Sequence, residues 1–371
     1  MGDQPGGLSR RDLLRAAAGA VALGLAAGCG RQAGGEPAPG EERRSVPAQT
    51  KLPRWRGFNL LEMFTVHSDG NWQEDDFRWI SDFGFDFVRL PMTYTQWIED
   101  DDVWKISEAG LAKVDRAVEL GRKYGLHVCL NFHRGPGYSV NPERQEPFDL
   151  WKDQAALDAF CLHWTTFAER YRGRPSSELS FNLINEPGQV NRDDHERVVR
   201  AAVAAIRKVD PERLIIADGV QWGTVPCPEL ADLGIAQSTR AYTPMGVSHY
   251  QASWVGGEHW PTPTWPGHQE WGRSWDRAAL EQHYQPWAEL AGQGVGVHCG
   301  EGGAFNKTPH PVVLAWLRDV LEILKGHNIG YALWNFRGSF GILDSGRADV
   351  DYEDFHGHQL DRKLLSLLQE L

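Results

Sequence analysis

Eight short, mostly apolar runs recur along the chain from about Lys51: "RGFNLLE", "FDFVRLP", "LHVCLNF", "LSFNLIN", "RLIIAD", "QSTRAY", "GVGVHCGE" and "IGYALWN". Each has the length of a buried strand. Between them lie stretches with apolar residues three and four apart, the period of a helix that buries one face. The clearest run over Ser107 to Tyr124, Gln154 to Tyr171, Asp193 to Val209, Asp276 to Ala291 and Pro311 to Gly326, with Leu360 to Leu371 closing the chain. Strand and helix in alternation over residues 51–371 predict one α/β domain, a (β/α)8 TIM barrel. A doubly wound open sheet is the rival, but no Gly-rich phosphate fingerprint follows an early strand.

A barrel of this kind carries its chemistry at the C-terminal ends of its strands. The polar residues of these runs gather there: Asn59 and Glu62, Arg89, Asn131 and His133, Asn185 and Glu186, Arg240 and Tyr242, Glu301, and Trp334 with Asn335. Among them Glu186, after the fourth strand, and Glu301, after the seventh, form a pair of carboxylates on the scale of one site. Cleavage of a glycosidic bond needs such a pair, one group to protonate the leaving oxygen and one to stabilise or attack the anomeric carbon. Taken singly, each has a plainer reading. Asn-Glu-Pro serves as a strand-end turn, because proline restricts the residue before it, and Glu301 lies among Gly300, Gly302 and Gly303. Arg89 tilts the balance, since a guanidinium inside an apolar strand must find an anion. An Arg beside Glu301 would keep that group ionised; the competing partner is an acid on a neighbouring helix. His133 fits either a sugar hydroxyl or a satisfied core position.

These motifs together resemble glycoside hydrolase family 5, the cellulase-like family of retaining β-glycosidases. The resemblance rests on Arg89 in "VRLP", His133 in "NFHRGPG", Asn185 and Glu186 in "NEP", Tyr242 in "AYTPM", Glu301 in "CGEGG" and Trp334 in "ALWNFRGSFG". It implies Glu186 as acid/base, Glu301 as nucleophile, Asn185 as partner of the sugar 2-hydroxyl, Tyr242 bonded to the nucleophile and Trp334 as the floor beneath the sugar. The substrate it implies is a β-linked glucan or mannan, with no cofactor. One departure stands out. The family carries His-x-Tyr on the sixth strand, whereas this chain has Arg240 where the His belongs. A second register would use His249 and Tyr250, but "YTPM" followed by "SHYQASW" favours the first. A barrel that binds saccharide without turning it over, with Arg240 as the lesion, is the alternative function.

The stretch "SWVGGEHWPTPTWPGHQEWGRSW", residues 253–275, holds Trp254, Trp260, Trp265, Trp271 and Trp275 without a packing period. In a long loop at a barrel mouth such rings stack on sugars or plug the loop, and Trp254 is the candidate for stacking. The tail "ILDSGRADVDYEDFHGH" is dense in Asp and His but lacks the spacing of a calcium or zinc motif, so no metal is expected. Asp344 and Arg347 are expected to border the pocket.

Composition narrows the partners. A formal net charge of -12 and no cluster of Lys and Arg argue against nucleic acid, and the chain is read as a monomer. Residues 1–29 read as an export signal, with Arg10 and Arg11 ahead of an apolar run too short to span a bilayer. "LAAGC" resembles a lipobox, which would make Cys29 a lipid tether to a membrane outside the cytoplasm. Residues 30–50 read as a flexible linker rich in Gly, Pro, Glu and Arg. The other four cysteines fit no metal or disulfide framework.

Overall fold

A computed structural model describes residues 51–371; the signal, the lipobox and the linker expected in residues 1–50 lie outside the described residues. Eight parallel strands close into a barrel: β1 (Arg56–Asn59), β2 (Phe87–Thr93), β3 (His127–Gly135), β4 (Leu179–Asn182), β5 (Leu214–Asp218), β6 (Ala236–Ala241), β7 (Val297–Gly302) and β8 (Gly330–Leu333). Each pairs with its sequence neighbour, and β8 pairs with β1 in register Arg56 to Tyr331, so the barrel has no open edge. The expected barrel class is the observed one.

Among the described residues seven helices of nine residues or more cover it: α1 (Glu74–Asp82), α2 (Glu108–Tyr124), α3 (Gln154–Arg170), α4 (Arg192–Val209), α5 (Arg277–Gly292), α6 (His310–Gly326) and α7 (Arg362–Glu370). Their starts follow capping chemistry. Ser107, Asn191, Asp276 and Asp361 each accept a hydrogen bond from the backbone N–H three residues on. Alternation departs from the expected pattern between β5 and β6, where a four-residue helical turn, Val220–Gly223, and a short 3-10 turn, Pro228–Leu233, stand in for a full helix. The reason is local: Pro226 and Pro228 interrupt the segment, and Gln221 and Trp222 hold positive φ. Trp287 of α5 fills part of the gap, fully buried and donating its indole N–H to the Thr224 carbonyl.

The apolar core lies between strands and helices. Phe132 of β3 stacks on Trp164 of α3 at 3.9 Å between centroids, with Trp97 tilted against it at 5.1 Å. Strand alternation turns other side chains into the barrel. In β4 Phe181 packs outward on Trp164 while Ser180 and Asn182 face inward. Cys129, Cys161, Cys227 and Cys299 are free thiols, three of them buried. No helix among the described residues is long and apolar enough to cross a membrane.

Candidate active site

The inward-facing residues at the C-terminal mouth form one hydrogen-bonded cluster. Arg89, only 1% exposed, enters from β2 and spends its fork on four acceptors. Its Nε donates to Asn182 Oδ1 at 3.0 Å, Nη1 to Asn59 Oδ1 at 3.0 Å and to Glu301 Oε1 at 2.5 Å, and Nη2 to Asn185 Oδ1 at 2.7 Å. The anion that Arg89 finds is thus Glu301, not an acid of a neighbouring helix. Tyr242 donates its hydroxyl to the other oxygen of Glu301 at 3.2 Å.

Two local devices aim the carboxylates. The β6–β7 register slips between Cys299 and Glu301, so Gly300 is the extra residue of a bulge that redirects Glu301. A Cβ on Gly300 would meet Ser238 Oγ at 2.6 Å and Arg240 Nη1 at 3.1 Å, which explains the glycine. Strand β4 ends at Asn182, earlier than its apolar pattern suggests, and the chain curls so that Glu186 sits at φ 48. Tyr138 braces that curl, donating to the Glu186 carbonyl at 2.7 Å and accepting from Gly188 N at 2.9 Å.

Arg240 lies between the two carboxylates. Its Nε donates to Glu186 Oε1 at 2.9 Å, its Nη2 to Asn185 Oδ1 at 2.8 Å, and Nη2 stands 3.6 Å from Glu301 Oε1. The same guanidinium donates to Asp218, fully buried at the end of β5. Burial, reinforced by the nearby Glu301 charge, pushes the Glu186 carboxyl up to about 8 against the pull of Arg240. Two carboxylates in one pocket thus have unlike environments, one held by Arg89 and Tyr242, the other able to carry a proton near neutrality.

Around this pair the other predicted residues fall into two groups. His133 is buried, and burial together with Arg134, Arg89 and Arg240 holds it well below its ordinary value, so the ring is neutral. Its Nδ1 is buried without a hydrogen-bond partner and lies 4.0 Å from Glu301 Oε1. Trp334 stacks beside His133 at 5.7 Å and meets Phe64 edge-on at 5.3 Å, and Asn335 follows it across a cis peptide with Oδ1 unpartnered. His249 and Trp254 stand farther out, behind Tyr242: His249 is edge-on to Tyr242 at 5.0 Å, and Trp254, 47% exposed, is edge-on to Phe305 at 4.8 Å. Since Arg240 is on β6 within the cluster, the register with Arg240 and Tyr242 is the one realised. Tyr250 instead shares a hydrogen bond with Thr262.

Other rings of the Trp-rich loop turn away from the mouth. Trp265 donates to Asp319 of α6 at 2.8 Å, and Trp275 is buried under Arg273 in a small hairpin. Asp344 and Arg347, expected at the pocket border, serve the loop scaffold instead. Asp344 pairs with His358 and Arg337, and Arg347 donates to the carbonyls of Ala304, Phe305 and Thr308. Asp218, Asn182 and Tyr138 belong to the cluster although no motif singled them out. Only Asn182 left a trace, on the inward face opposite Phe181.

A closed parallel barrel with paired, unlike carboxylates on guanidinium supports at its C-terminal mouth defines a hydrolytic barrel enzyme of the glycosidase type. The chain belongs to the cellulase family, glycosyl hydrolase family 5, whose model matches residues 46–339. It is a glycoside hydrolase. It is similar to Endoglucanase C of Acetivibrio thermocellus, 26% identical over 313 residues that span 77% of this chain and 90% of that enzyme. Cellodextrinase A of Ruminococcus flavefaciens is 26% identical over 69% of this chain and 76% of its own length. A solved structure described as a glycoside hydrolase superposes with a TM-score of 0.81 at 38% identity, over 85% of this chain and 99% of that one.

Proposed function

We propose that the chain is a retaining β-glucanase in which Glu301 is the nucleophile and Glu186 the acid/base. The observation that carries the reading is that both carboxylates meet one guanidinium, Arg240, while Arg89 and Tyr242 hold Glu301 and burial pushes Glu186 toward the protonated state. Glu301 attacks the anomeric carbon as Glu186 gives its proton to the leaving oxygen; Glu186 then takes a proton from the water that opens the glycosyl ester. Asn185 and His133 offer polar atoms without partners to the sugar hydroxyls, and Trp334 offers a ring face. The endoglucanase and cellodextrinase relatives favour β-linked glucan over mannan, with Trp254 as a platform for a neighbouring sugar.

The test is stereochemical. Proton NMR of the first product from a short β-1,4-glucan should show the β-anomer, and Glu301→Gln should lower kcat by at least about 10³-fold. Azide added to Glu186→Ala should restore turnover and yield a β-glycosyl azide. Inversion of configuration, or a Glu301→Gln variant with normal turnover, would end the proposal. Export rests on residues 1–29, and a tether on Cys29. Cys29→Ala should move the protein from the membrane fraction to the soluble one.

A further inference from the structure

Asp218 closes β5 in a run, "RLIIAD", that carries no motif, yet it is 1% exposed and ties three strands together. Asn182 Nδ2 of β4 donates to its Oδ1 at 2.8 Å. The Glu186 backbone N–H donates to its Oδ2 at 2.9 Å, and Arg240 Nη2 donates to that same oxygen. The amide it holds is the one at φ 48, a backbone state that costs energy outside glycine unless its surroundings fix it.

Charge makes the second argument. Two guanidiniums, Arg89 and Arg240, meet three carboxyl groups, Asp218, Glu186 and Glu301. Neutrality is therefore reached with Glu186 protonated. Were Asp218 uncharged, neutrality would instead require an ionised Glu186, held 2.9 Å from Arg240. The groups facing Glu186 are Arg240 from β6, Asp218 from β5, Glu301 from β7, the Tyr242 hydroxyl just after β6 and the neutral Tyr138 hydroxyl on its carbonyl; Arg89 reaches the adjacent Asn185.

We propose that Asp218 is a positioning residue for the acid/base: by binding Arg240 and the Glu186 amide at once, it aims the Glu186 side chain and leaves it able to hold a proton. The Arg240–Asp218 ion pair then does the work of a single uncharged donor on the sixth strand. This deepens the reading of Glu186 as acid/base and rests on it.

The experiment is the pH dependence of kcat/KM on an aryl β-cellobioside with a poor leaving group and on the dinitrophenyl analogue, whose leaving group needs no proton. In Asp218→Asn the alkaline limb on the poor leaving group should move down by about 1 to 3 pH units. The rate at pH 7 should then fall by about 2- to 100-fold, with the dinitrophenyl substrate largely spared. Removing the cation as well, in Asp218→Asn with Arg240→Gln, should return the limb toward its original position. Arg240→Gln alone should move it upward, and this variant carries the test where Asp218→Asn does not fold. An unmoved limb in folded Asp218→Asn, or a double variant displaced as far as the single one, overturns the proposal, as does a downward or unmoved limb in Arg240→Gln. Failure of the acid/base reading has a separate signature, a Glu186→Ala variant that keeps its activity on the poor leaving group.

Discussion

Replacing Arg89 by methionine removes one fork from four acceptors, of which Asn182 Oδ1 keeps Asn131 Nδ2 at 3.0 Å and Asn185 Oδ1 keeps Arg240 Nη2 at 2.8 Å. Three are the side-chain oxygens of Asn59, Asn182 and Asn185; the fourth is the Glu301 carboxylate, 4% exposed. Breaking a buried ion pair from one side costs about 3 to 5 kcal/mol, because the remaining charge stays buried. Glu301 keeps Tyr242 at 3.2 Å and Arg240 at 3.6 Å, so the lower end, about 3 kcal/mol, applies. At about 1.5 °C per kcal/mol for a domain of about 320 residues, calorimetry at pH 7 should show Tm falling by about 4 to 5 °C. A second substitution provides the control. Adding Glu301→Gln to Arg89→Met removes the unpaired charge, so the double variant should recover part of the lost Tm. A gap below about 2 °C, or a double variant that melts no higher than Arg89→Met, would refute the argument that the pair is held by charge.

Three further outcomes follow from the geometry. Because burial pushes the Glu186 carboxyl up to about 8 in the fold, hydrolysis of poor leaving groups should decline as pH rises through that value, whereas the stability linked to the neutral form is fully present below the ordinary carboxyl value and is already lost by about 8; initial rates from pH 6 to 10 read the first. Trp254→Ala should raise KM on long β-glucans by about 2- to 12-fold, from about 0.5 to 1.5 kcal/mol of aromatic contact, while leaving short aryl substrates nearly unchanged in steady-state assays. Asp276→Ala deletes the cap that accepts from Ala279 N at 2.9 Å on α5, and should cost about 1 kcal/mol in urea unfolding with kcat intact.

Most of the barrel was legible because buried parallel strands and one-faced helices leave opposite periods in the sequence. The predicted helix over Ser107 to Tyr124 differs from the observed one only by its capping serine. What escaped was set by contacts remote in sequence. Nothing in "RLIIAD" says that its last residue will meet the guanidinium of Arg240, and an Asp before Gly219 reads equally well as a turn. The bulge at Gly300 and the left-handed curl at Glu186 are backbone states with no periodic signature. Arg89 and Glu301 were readable as a pair because a cation in an apolar strand has few ways to be satisfied. Asp344 misled because nearness in sequence to Trp334 is not nearness to the pocket, and Arg337 and His358 claim it first.

The unpaired thiols have a practical meaning. No covalent staple joins one part of the described chain to another, and burial pushes Cys129 up to about 11 and Cys299 up to about 12, which leaves both inert toward oxidants. The barrel can therefore mature without an oxidising environment, and dithiothreitol in the buffer should leave its melting point where it was.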